Sequence, residues 1–180
     1  MSTRLDTIID DSNLAWDKTF ESKKEIFIVS IDTSIINQLI EKRELLSTVD
    51  PCNFKFLESI ISDFKSKLIS GSGFIIIDGT CFKNFSNEEV QMIYQIFAKS
   101  LGELYVQNIK KEKLVLIKNE GKSMKTGGRY HQTKEGGSYH TDSPQWKNVP
   151  DIIGLCCINP AKIGGTSKFI SSYTVHNLFL

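Results

Sequence analysis

The chain has 180 residues, 40% apolar and 24% charged, with a formal net charge of +1, which is the make-up of an ordinary globular protein long enough for a real core. So small a net charge gives no broad field for nucleic acid or an anionic membrane. The longest apolar run, 152–158, is far short of the roughly 20 residues of a membrane span. The first residues turn acidic at once and lack a signal peptide's apolar core, so a cytoplasmic protein is expected. The four cysteines include no C-x-x-C, which argues against a zinc ribbon or redox dithiol and for buried free thiols.

Residues 1–24 are polar and mixed, an arm ahead of one domain over 25–180. Residues 25–31 predict a strand, and 34–46 an amphipathic helix. Asp50 and Pro51 predict a cap and first turn for a second helix, in which Leu57, Ile60, Ile61, Phe64 and Leu68 recur at helical spacing. Gly71 and Gly73 end it, and the β-branched run 74–79 predicts a buried strand. Ser86 and Glu89 form a capping box before a helix with Val90, Ile93 and Phe97 on one face, closed at Gly102. A strand is expected over 114–118. The glycine-rich stretch 119–138 predicts a long loop of the kind that is usually functional or disordered. Further strands are expected over 138–142, 152–158 and 167–171, then the first turns of a helix over 173–180.

The segment Tyr139-His140-Thr141-Asp142 carries the chemistry. Side chains two apart on a strand share a face, so His140 and Asp142 can reach one cation. Imidazole and carboxylate suit a first-row metal, and a second histidine would complete a 2-His-1-carboxylate facial triad. With three His and ten Asp, one H-x-D arises by chance in roughly one chain in six. A histidine hydrogen-bonded to a nearby aspartate is the plainer alternative.

Context narrows the choice. Gly128 to Pro144, then Pro150-Asp151, the run Ile152 to Cys157, Pro160-Ala161 and Gly164-Gly165-Thr166-Ser167 together resemble the metal-binding region of the TauD/TfdA-like Fe(II)/2-oxoglutarate dioxygenases. Residues 73–79 and Leu101-Gly102-Glu103 resemble that family's first core strand and the end of its following helix. The resemblance covers roughly 50–180. It implies an α+β fold with a double-stranded β-helix (jelly-roll) core of the clavaminate synthase-like type and flanking N-terminal helices. It implies His140 and Asp142 as iron ligands, and Ser167, with Thr166 as its neighbour, at the 2-oxoglutarate carboxylate. Arg129, Tyr130 and Gln132 are the types that bind a polar or carboxylate substrate. The carboxylate at Asp142 argues for hydroxylation or desaturation, since glycine or alanine there would open a halide position.

The resemblance also implies a distal histidine and a 2-oxoglutarate-binding arginine. His131 precedes the motif, His176 reads as structural or capping, and no arginine follows Arg129. The expectation is therefore a C-terminally truncated jelly roll. It would be a fragment of a dioxygenase acting on a small amino acid, carboxylate or amine, with no nucleic-acid or membrane partner. The alternatives are an inactive scaffold that binds or interacts, or half of a split enzyme completed by a second chain.

Overall fold

The computed structural model describes residues 6–108, 110–128, 132–135, 137–142 and 145–180. The chain divides into two compact units, one of residues 1–102 with 169–180, the other of 103–168.

The first unit is mainly helical. Asp17 caps a 3-10 turn over Lys18–Ser22, and α1 (Lys24–Phe27) passes directly into β1 (Ile28–Val29). The strand expected over 25–31 is thus half helical turn. Its regular part stops where its partner among the described residues does, since β1 pairs in parallel with β2 (Ile76–Ile77) through Ile28–Ile76 and Val29–Ile77. Asp32 accepts from the Ser34 amide and starts α2 (Thr33–Glu41); a 3-10 turn over Arg43–Thr48 follows. Asp50 accepts from the Cys52 amide with Pro51 in the first turn, as expected, but the chain stays 3-10 over Pro51–Leu57 before α3 (Glu58–Ser70). Ser86 and Glu89 form the full capping box of α4 (Asn87–Leu101), and Gly102 closes it.

These helices bury one core. Leu39 from α2, Phe64 from α3 and Ile96 from α4 are wholly enclosed, and the rings of Phe64 and Phe97 meet edge to face. A second cluster stacks Trp16, Phe20, Phe27, Phe74 and Phe169, with the Trp16 indole N–H donating to the Ser72 carbonyl.

The N-terminal arm is fastened to α5 (Ser172–Leu178). The Asn177 amide both donates to and accepts from the Ile9 backbone at 2.9 Å. Ser171 and Thr174 hydroxyls donate to the Leu14 and Trp16 carbonyls, and His176 Nε2 lies 3.1 Å from the Thr7 carbonyl. His176 is structural, as expected.

The strands expected over 114–118, 138–142, 152–158 and 167–171 carry no ladder among the described residues, and no jelly roll is seen there; the only sheet is the two-residue β1–β2 pair. The reason is physical: a strand must hand its N–H and C=O groups to a neighbour, and apolar alternation supplies none. Leu116, Leu155 and Phe169 are accordingly more than half exposed. Cys52, Cys156 and Cys157 are exposed as well, against the expectation of buried thiols; Cys81 is half-buried. Burial pushes the Cys81 thiol up, and Asp78 adds to it.

Candidate metal centre

The 103–168 unit holds the H-x-D pair. Its approach is the expected loop, internally tied. The Ser123 hydroxyl and Met124 amide both donate to Glu135 Oε1, at 2.7 and 3.3 Å. Glu120 donates its amide to the Gln132 carbonyl, and its carboxylate accepts from Gln132 Nε2 and pairs with Lys122 at 2.9 Å. The Lys122 ammonium and its hydrogen bond hold the Glu120 carboxyl below its usual range. Gly128 is packed so closely that a Cβ there would lie 2.9 Å from the Ser123 carbonyl oxygen. Gln132, considered above for substrate contact, donates through Nε2 to the Glu120 carboxylate. Arg129, Tyr130 and His131 lie outside the described residues.

Without a strand ladder, His140 and Asp142 still converge: Nε2 and Oδ1 are 3.5 Å apart. His140 Nδ1 is 2.7 Å from the Ser138 carbonyl. A carbonyl oxygen only accepts, so Nδ1 carries the proton. In the neutral ring Nε2 is then a lone pair facing a carboxylate oxygen. Two electron-rich atoms at that distance ask for a proton or a cation between them.

The donor set fits a first-row cation. A metal about 2.1 Å from two neighbouring ligands sets them roughly 3 Å apart, and the observed spacing needs only a small closure. A backbone carbonyl holding the far ring nitrogen is the usual support of a metal-bound imidazole. Both side chains are about half exposed, at 58% and 51%, so the pair is worth little as a structural ion pair. Among the described residues no group of three or more His, Cys, Asp or Glu gathers.

Thr166 and Ser167 follow a turn in which Gly164 and Gly165 adopt φ of 79° and 75°, the left-handed region glycine takes without penalty. Both are exposed. No hydrogen bond or ion pair among the described residues joins them to the His140–Asp142 pair. The Ser138 contact had no sequence signal, because a backbone carbonyl is common to every residue. The Glu135 tie could have been suspected from a lone acid among glycines and hydroxyls.

A family model described as "Taurine catabolism dioxygenase TauD, TfdA family" matches residues 40–179. The chain is also similar to FR-33289 synthase of Streptomyces rubellomurinus (strain ATCC 31215), 26% identical over 123 residues, which is 67% of this chain and 34% of that protein. The aligned region therefore spans about a third of the relative's length. No solved structure matches. With its H-x-D pair and Gly-Gly turn inside a match over most of its length, the chain belongs to the taurine catabolism dioxygenase TauD, TfdA family.

Proposed function

We propose that the protein is, or forms part of, an Fe(II)- and 2-oxoglutarate-dependent dioxygenase that hydroxylates a small molecule. The observation that carries this is the convergence of His140 Nε2 and Asp142 Oδ1 at 3.5 Å, inside the matched region. Iron and 2-oxoglutarate, when bound, supply with O₂ the oxidising power that turns a C–H bond into C–OH while 2-oxoglutarate becomes succinate and CO₂. The chain's own part is to present two ligands and hold their geometry. The Ser138 carbonyl fixes the imidazole tautomer; Glu135 and Glu120 tie down the loop that leads to it. Ser167, with Thr166 beside it, offers a hydroxyl to the 2-oxoglutarate carboxylate after a turn that only glycines pass easily.

Two protein ligands hold iron less firmly than three. The described residues offer two, and the aligned region spans a third of the relative. This favours a second reading, in which further polypeptide, from the same or another chain, supplies a ligand and strands that complete a jelly roll. An inactive scaffold is the remaining alternative.

Purified protein given Fe(II), 2-oxoglutarate and O₂ should release succinate, and His140→Ala and Asp142→Ala should each abolish it. Activity that appears only with added polypeptide supports the split enzyme. No succinate, together with Fe(II) retention indifferent to both substitutions, sinks the dioxygenase reading.

A further inference from the structure

Cys156 and Cys157 have no part in the iron chemistry. The sequence predicts them buried in a strand over 152–158. In a strand, neighbours alternate between faces, so two adjacent thiols would be turned away from each other. The structure removes both conditions. No ladder forms over that run among the described residues, and both cysteines are exposed, beside the exposed Ile153 and Leu155.

The backbone limits what such a pair can do. One trans peptide separates the two residues, which fixes their Cα atoms about 3.8 Å apart. A disulfide asks for Cα atoms roughly 4.4–6.8 Å apart and sulfurs about 2.05 Å apart, so direct oxidation of this pair is strained. An atom set between the sulfurs relaxes that demand. Bonds of roughly 2.3 Å to each, the zinc–sulfur length, leave the sulfurs anywhere up to about 4.6 Å apart. Partial burial pushes the Cys156 thiol up, and Cys157 beside it adds to this. Cys156 is therefore a thiol at neutral pH and a poor nucleophile toward peroxide. The number of donors narrows the class of ligand further. A structural zinc takes four, and no group of three or more His, Cys, Asp or Glu gathers among the described residues. A monosubstituted trivalent arsenical brings its own carbon as third substituent and needs only two sulfurs.

We propose that Cys156 and Cys157 form a two-sulfur site for a soft trivalent acceptor of the organoarsenical class. The reaction is a condensation. Both S–H bonds and the As=O bond break, two S–As bonds form, and the oxygen leaves with the two protons as water. Arsenic stays trivalent, so no oxidant or reductant takes part. This soft pair suits a different class of ligand from the nitrogen and oxygen of His140 and Asp142.

The test is intact mass spectrometry of the full chain treated with one equivalent of phenylarsine oxide. One arsenical should be held against excess glutathione, a monothiol, and released by the dithiol 2,3-dimercaptopropanol. Cys156→Ser and Cys157→Ser should each weaken retention roughly 10²-fold, because each removes the second, intramolecular bond. Both positions are exposed, so the melting temperature of either variant should match the parent's. A Cys52→Ser/Cys81→Ser variant should bind as the parent does. A second measurement needs no variant: iodoacetamide added after the arsenical should alkylate Cys52, which is exposed, and spare Cys156 and Cys157. An adduct that glutathione strips, retention unchanged in either single variant, loss in the Cys52/Cys81 variant, or alkylation at 156 or 157 overturns the proposal.

Discussion

At His140 and Asp142 the proposed chemistry would depend on one tautomer and one carboxylate. Asp142→Asn keeps size and shape but loses the negative charge, so Fe(II) affinity should fall at least about tenfold, the scale seen even when only the support of a ligand is removed; metal titration by calorimetry checks this. The ring's ¹⁵N shifts should report the proton on Nδ1, the nitrogen that donates to the Ser138 carbonyl. Gly128→Ala would place a methyl 2.9 Å from both the Ser123 carbonyl oxygen and Lys122 Cβ. It should loosen the loop, read as faster proteolytic cleavage within 119–135, without altering the helical signal of α2–α4. The approach of His140 to Asp142 was legible in the sequence because the two are two residues apart and their convergence is local. The left-handed backbone of Lys111, at φ 62°, was not, because the turn around it is closed by a backbone hydrogen bond, from the Gln107 amide to the Glu112 carbonyl, that every residue type can make.

Among the elements, helix starts were the most legible. The Ser86–Glu89 box and the Asp50 cap with Pro51 are each set within four residues of sequence. Ser86→Ala should cost about 1 kcal/mol, measured by denaturant unfolding. Acid should act on the aspartate caps together. Hydrogen bonds from Thr19, Ser34 and Thr80 hold the Asp17, Asp32 and Asp78 carboxyls below 3.8. A group depressed on folding stabilises fully above its ordinary value and loses that contribution as pH falls through the folded one. The melting temperature should therefore hold from neutrality to just above that value and drop below it, and Asp32→Ala should shrink the drop. Strands were poorly legible for the opposite reason. The runs at 152–158 and 167–171 have the composition of strands, but pairing is a property of two segments, and only 28–29 and 76–77 find each other among the described residues. The 3-10 start before α3 was likewise hidden: Phe54, at φ −126° and ψ 42°, interrupts the helix while its ring is buried.

For the molecule as a whole, two units differ in what holds them. The first has a closed apolar core, so Phe64→Ala should lose about 3–5 kcal/mol, followed through Trp16 emission in a Trp146→Phe background. The second is held by turns, carboxylate ties and the stacked pair Tyr105–Trp146, at 6.0 Å, and its stability should be the more sensitive to Glu135→Ala. No helix is long and apolar enough to cross a membrane among the described residues.

The arm of residues 7–16 meets α5 almost entirely through its main chain: Thr7, Ile9, Leu14 and Trp16 lend carbonyls, and Ile9 its amide, to side chains of residues 171–177. Such an attachment places its hydrogen-bonding constraints on the side chains of one party only. The exposed side chain at Thr7 is free to drift over generations, whereas Ile9 and Leu14 are half-buried and hold their apolar character, and proline is excluded at 9 and 14, whose N–H groups donate to Asn177 and to the Asp11 carbonyl. Ser171, Thr174 and Asn177 are not free to drift. A saturation library should show that asymmetry as broad polar tolerance at Thr7, apolar replacements only at Ile9 and Leu14, and narrow tolerance at Ser171, Thr174 and Asn177.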